Sequence, residues 1–149
     1  MSRFDPHQPG VAYGVLDSLI GYALRRAQIR MTEAFDAQLG ELGITTQRFS
    51  ALVLIASNPG LKQTELARVM GIARSGVLAI VDALAGQDLI ERRPAPSDAR
   101  AQALHLTPEG ERRLPQIIEL VRQHDRELVS GFSADEIESL RALLDRIRT

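Results

Sequence analysis

Between Thr64 and Leu106 the spacing of apolar residues changes from three or four to two, and a glycine stands between the helical stretches. Thr64 to Met70 carries the period of one short helix, Gly71 punctuates it, and Val77, Ile80, Val81 and Leu84 mark a second helix from about Ala73 to Ala85. After Asp88 the pattern becomes a short run, Leu89-Ile90-Glu91-Arg92-Arg93, then a polar turn from Pro94 to Asp98, then an alternating stretch from Ala101 to Leu106. Period two on both sides of a turn predicts a β-hairpin. Small residues stand where the two helices have to close on each other. Ala67 admits a near approach of the axes, Gly71 admits the positive φ of a reversal, and Val77 faces back into the crossing, with Leu66, Met70, Ile72 and Ile80 behind it. An ordinary αα-hairpin with a glycine turn would meet some of these demands; a helix-turn-helix meets them all.

The flanks are helical. Leu19, Ile20, Ala23, Leu24, Ala27, Met31, Phe35 and Leu39 predict one long amphipathic helix from Leu16 to Leu42, ended by Gly43. Thr45 or Thr46 can cap a second helix bearing Phe49, Leu52, Val53 and Ile55, which stops at Asn58-Pro59-Gly60. Thr107-Pro108-Glu109 joins a hydroxyl cap, a proline at the first helical position and an acid in the first turn, and Leu114, Ile117, Ile118, Val121 and Leu128 follow at helical spacing. Ser133 with Glu136 makes a capping box and Phe132 with Ile137 a hydrophobic staple, so a last helix is expected from there to the C-terminus, with Ile137, Leu140, Leu144 and Ile147 on one face. The predicted fold is mainly α with a small β-hairpin wing. It is a single domain over 1–149, in which a winged helix-turn-helix lobe (45–106) is flanked by N- and C-terminal dimerisation helices (14–42 and 108–148). Dimerisation is expected because the apolar faces of the first and last helices exceed what a small winged-helix core requires. A monomeric helical bundle is the alternative.

A chain of this length buries roughly 70% of its unfolded surface and needs no disulfide. It has no cysteine, which fits a reducing cytoplasm and excludes thiol redox sensing and any cysteine-containing zinc site. No run reaches the ~18 apolar residues of a membrane span. Met1 to Gly10 is polar, with Pro6 and Pro9, unlike a signal peptide, so a cytoplasmic protein with no membrane partner is expected. The formal net charge of -1 means that any contact with nucleic acid has to come from local placement of charge. Lys62 is the only lysine; the other basic side chains are arginines, suited to bidentate contacts with phosphate or guanine, although genome composition produces the same bias.

The segments Glu65-Leu66-Ala67, Gly71-Ile72-Ala73-Arg74-Ser75-Gly76-Val77, Leu89 to Arg93, Ser97-Asp98-Ala99-Arg100 and Leu106-Thr107-Pro108-Glu109-Gly110 resemble the MarR family of bacterial regulators. That family's wing carries Asp-x-Arg ahead of a Leu-Thr-x-x-Gly helix start, and the resemblance runs from about Leu16 to Ile147. It implies a homodimer on double-stranded DNA, with recognition helices in successive major grooves, wing tips in adjacent minor grooves, and half-sites about 10 bp apart in a pseudo-palindromic operator. On that implication Arg74, Ser75 and Gly76 open the recognition helix and meet base edges or phosphates. Arg92 and Arg93 are further candidates for DNA contact, or plain solvated charges. Arg100 would enter a narrow minor groove, and Asp98 would orient the wing by pairing with an arginine such as Arg92. Leu78, Ala79 and Ala83 stand where family members often carry threonine or arginine, which leaves few donors for direct readout.

The resemblance also implies a repressor released by a small-molecule effector, an aromatic acid or an aromatic acyl-CoA thioester, bound between the dimerisation helices and the winged lobe. Tyr13, Tyr22, Arg26, Arg30 and Phe49 are the candidate lining residues, and core packing would equally account for Tyr22 and Phe49. The run Tyr22 to Gln28 is similar to the first helix of MarR-type regulators that sense CoA thioesters of hydroxycinnamic acids, where arginines could hold CoA phosphates. No enzyme, cofactor or metal site is expected. Arg74-Ser75-Gly76 follows a helix rather than a strand, unlike a nucleophile elbow, and His7, His105 and His124 lie far apart. The other functional reading is a winged-helix protein-protein interaction module without specific DNA binding, which the near-neutral charge would suit.

Overall fold

Where a hydroxyl stands ahead of an apolar period, a helix begins. In the computed structural model, which describes residues 8–95 and 98–147 and only the backbone of Asp98, Ala99 and Arg100, the elements follow one another along the chain. They are α1 (Ile20–Leu39), α2 (Thr46–Ser57), β1 (Leu61–Lys62), α3 (Gln63–Met70), α4 (Arg74–Gly86), β2 (Ile90–Ala95), β3 (Asp98–Leu106), α5 (Pro108–Leu128) and α6 (Ala134–Asp145). Thr45 caps α2 by accepting from the Arg48 N–H at 3.2 Å, and Thr107 caps α5 by accepting from the Gly110 N–H at 2.9 Å. At α6 the expected capping box is closed: Ser133 Oγ accepts from the Glu136 N–H, and the Glu136 carboxylate accepts from the Ser133 N–H at 2.7 Å. Phe132 is 51% exposed, and α6 stops at Asp145 rather than continuing to the C-terminus.

The first helix is not the continuous rod that its periodicity predicts. A 3-10 turn at Gly14–Ser18 precedes it, and Leu19 is extended at φ -91° and ψ 122°. Ser18 Oγ donates to the Val15 carbonyl at 2.8 Å, a local bond that competes with helix propagation. At the other end the chain tightens into a second 3-10 turn, Gly40–Leu42, before Gly43 turns left-handed at φ 69°.

Gly71, also left-handed at φ 64°, turns α3 into α4, and the chain bends by 114° between them. Ala67 and Val77 are buried at the crossing as their positions predict. α3 starts one residue earlier than expected, because the Glu65 carboxylate reaches back to the Lys62 N–H at 3.1 Å. The hairpin β2–β3 gains a third antiparallel strand, in the order β1-β3-β2, with Leu61 opposite Leu104 and Ile90 opposite Leu106. β1 is two residues long and carries no period a sequence could display. Pro94, which cannot donate to a ladder, lies in the edge strand β2, and the register shifts immediately after it.

The core lies where α2, α3, α4 and the sheet converge: Leu52, Ile55, Leu66, Val77, Val81, Leu84, Leu89 and Leu104 are fully buried. α5 rests on α1 through Phe35, Leu39, Ile117 and His124, with the Phe35 and His124 rings edge-to-face at 5.4 Å. Gln38 joins that seam: its Oε1 lies 3.1 Å from His124 Nδ1 and its amide donates to Glu127 at 2.7 Å. By contrast Val15, Leu16, Leu19 and Ile20 near the start, and Leu140, Leu143, Leu144 and Ile147 near the end, are exposed.

Two outcomes follow for stability. A Cβ on Gly110 would collide with the Leu89 carbonyl oxygen, whereas Gly71 has open space around it and only its positive φ to defend. Gly110→Ala should therefore lower the urea unfolding free energy by about 3 kcal/mol and Gly71→Ala by about 1 kcal/mol; equal effects would contradict this ranking. At α6 the backbone N–H and the hydroxyl of Ser133 hold the Glu136 carboxyl below its usual value of 4.5. A carboxyl lowered in the folded state stabilises above its unfolded value and loses that contribution as pH falls through the folded one. Amide protection in the first turn of α6 should fall on acidification below about 4.5, and Glu136→Gln should remove that dependence; a profile unchanged by the substitution would refute the assignment.

Candidate nucleic-acid interface

Because Val77, Ile80, Val81 and Leu84 are buried, the core dictates which side of α4 faces outward. The outward side carries Arg74, Ser75, Leu78, Ala79 and Asp82. Arg74 and Ser75 occupy the first turn and are exposed; Gly76, behind them, is half-buried, with Ile72 in ordinary contact range of where its Cβ would be. The residue before the helix is Ala73, which has no side-chain acceptor, so the first-turn amides of α4 are left for an external acceptor.

Arg74 also borders a cleft of about 230 Å3 whose other walls are Lys62, Gln63 and Thr64 at the start of α3, and Ala101 and Gln102 on β3. Two cations and three polar side chains, from β1, α3, α4 and β3, thus converge on one open hollow, an arrangement suited to an anionic group such as a phosphate. Lys62, Gln63, Thr64 and Gln102 were not among the expected site residues. Their only sequence signal is that Lys62 is the sole lysine and that Gln102 falls on the outward phase of an alternating strand.

Two arginines of the wing, Arg92 and Arg93, are engaged. Arg92, opposite Leu104 in the ladder, extends toward α4 and pairs with Asp82; the expected partner Asp98 has its side chain outside the described residues. Arg93 folds onto Glu91 within its own strand, its Nε donating at 3.0 Å. The side chains of Asp98 and Arg100 lie outside the described residues; their backbones belong to β3 at the hairpin tip.

Of the five expected effector-binding residues, three come together. The rings of Tyr13 and Tyr22 are 6.2 Å apart, and the Arg26 guanidinium lies 4.9 Å from the Tyr22 ring centre and 3.6 Å from Asp17. Arg30 is exposed on α1, and Phe49 packs against the main core. A second cleft, about 350 Å3, lies between α2 and α3 and is lined by Thr46, Gln47, Ser50, Leu54, Val69, Met70 and Ile72. None of the five residues borders either cleft. Among the described residues no three of His, Asp and Glu converge to hold a metal ion, and no single helix is long and apolar enough to cross a membrane.

Comparison with known proteins agrees with this geometry. The pattern of the MarR family matches residues 42–101, the helix-turn-helix and most of the hairpin. A candidate transcriptional regulatory protein for the hcr operon of Thauera aromatica is 33% identical over 138 residues, covering 92% of this chain and 83% of that protein. The structure of the transcriptional repressor CouR bound to a 23-mer DNA duplex is 38% identical, with a TM-score of 0.83 over 91% of this chain and 96% of that one. CouR bound to p-coumaroyl-CoA is 35% identical, with a TM-score of 0.82 over 91% of this chain and 95% of that one. A left-handed glycine between two short helices, a three-stranded wing and a relative this similar along nearly the whole chain lead to one assignment: the chain belongs to the MarR family.

Proposed function

We propose that this chain is a transcriptional regulator that binds duplex DNA as a homodimer, through α4 in the major groove and the β2–β3 wing in the adjacent minor groove. The observation that carries the reading is the outward face of α4. Its uncapped first turn, Arg74 and Ser75 stand beside a cleft lined by Lys62 and Gln102, on a fold shared with a DNA-bound repressor. Phosphate contacts would come from Arg74, Lys62 and the helix amides, with base contacts from Ser75 and its neighbours and a minor-groove contact from Arg100. Gly76 would keep the first turn close to the DNA backbone. The exposed apolar residues of the two chain ends, Val15 to Ile20 and Leu140 to Ile147, supply the faces that a second copy would bury.

For the effector the proposal is an aromatic acyl-CoA thioester, or the corresponding aromatic acid, that releases the repressor from a pseudo-palindromic operator. The complex of CouR with p-coumaroyl-CoA supports it, as does the placement of two tyrosine rings beside Arg26 on the first helix. Arg30 and Phe49 would contribute only if the second subunit brings them to the same ligand.

Fluorescence anisotropy on duplexes tiling the upstream region of the gene tests the DNA reading. One tile should bind tightly, and affinity should fall steeply with salt, because neutralised phosphates release counterions. In a dimer Arg74→Ala should reduce the logarithmic salt slope by about 2, one contact per half-site. Binding without salt dependence would favour the protein-protein module instead. Calorimetry tests the effector: p-coumaroyl-CoA should bind, displace the DNA, and lose about tenfold in affinity in Arg26→Ala if that cation holds a CoA phosphate. Equal affinity for the thioester and for free p-coumarate would exclude the CoA reading.

A further inference from the structure

On α4 the residues facing outward fall into a row, Arg74, Leu78 and Asp82, spaced four apart, with Ser75 and Ala79 alongside. The row begins with a cation that has no partner among the described residues, and it ends at a carboxylate already engaged by Arg92. Between them lies an apolar step. Leu78 is 48% exposed, whereas Val77 and Ile80 on the inner side of the same helix are buried. On the outward side past the first turn no polar group is free to read a base edge: Leu78 and Ala79 have none, and the Asp82 carboxylate one turn further on, which could otherwise accept from cytosine, is held in its ion pair.

We infer that Leu78 reads a thymine methyl group in the major groove, so that each half-site carries thymine at the position beneath the second turn of α4. The inference rests on the DNA-binding reading above and adds what that surface selects. Thymine alone among the four bases presents an apolar group, the C5 methyl, on its major-groove edge. Arg74 and the neighbouring cleft fix the helix on the phosphates, and the buried face of α4 prevents it from rotating to offer other side chains. The ion pair of Asp82 with Arg92 removes a negative charge from the far end of the row, which lets the helix lie close enough for van der Waals contact. Each methyl buried against Leu78 is worth about fourfold in affinity, so a symmetric pair of half-sites gains about fifteenfold.

The test is selection of binding sites from random duplexes with the full-length chain, followed by resynthesis of the selected duplex with deoxyuridine replacing thymidine at each recurrent thymine. Uracil pairs with adenine as thymine does and lacks only the methyl. The expected result is a thymine recurring at one position of each half-site, with affinity lost about fifteenfold on replacement there. Leu78→Ala, at an exposed position where folding is not at risk, should bind the thymine and uracil duplexes alike. Arg74→Ala should bind both more weakly and keep the preference. A selected duplex that binds equally well with uracil overturns the inference while leaving DNA binding intact. A preference that survives in Leu78→Ala overturns the assignment to that side chain. Failure to enrich any duplex overturns the DNA-binding reading and the inference with it.

Discussion

At Leu89 the chain is held from three directions. Its N–H donates to the Leu84 carbonyl in the last turn of α4 at 3.0 Å, and its own carbonyl accepts from the Thr107 N–H at 3.2 Å. Its side chain is fully buried, and Gly110 lies against its carbonyl so closely that no side chain fits. One residue earlier Asp88, left-handed at φ 57°, receives the Thr107 hydroxyl at its carbonyl. The α4 helix, the wing and α5 therefore meet at one buried joint. A close-packed joint passes displacement on rather than absorbing it. Movement of α5 relative to a partner subunit would carry α4 and the wing as a body, so an effector of the proposed kind would bias the spacing between two lobes and not the shape of either.

The same economy governs charge. A chain with net charge -1 cannot draw DNA by its overall field. What the fold provides instead is placement. Asp82 on α4 and Glu91 on β2 are paired with Arg92 and Arg93, and Arg74 of α4 and Lys62 of β1 share one cleft with Gln102 of the wing. Surface ion pairs contribute little to stability, so under the proposed mode of binding the value of these two would lie in the negative charges they offset.

Much of this was legible in the sequence because it was written in periods and caps. Thr45, Thr107 and Ser133 open helices where a hydroxyl precedes an apolar run, and Gly71 reverses the chain where only a glycine turns without strain. What was not legible depended on contacts between distant segments. The break at Leu19 goes with a serine bonding back to its own turn, β1 exists only because β3 lies beside it, and Arg92 meets Asp82 because β2 packs on α4. The cleft residues Lys62, Thr64 and Gln102 belong to three elements and share no local pattern. For the effector, aromatic and basic residues at helical spacing name a surface, and the structure gathers only Tyr13, Tyr22 and Arg26 of the five.

The central claim is that two copies of α4 lie in successive major grooves on one face of a duplex. Hydroxyl-radical footprinting of the full-length chain on its selected operator measures this directly. Two protected patches are expected about 10 bp apart on the same face, related by the operator's two-fold axis, with flanking protection in the minor groove from the wings. A single unsymmetrical patch, or protection without helical phasing, would contradict it.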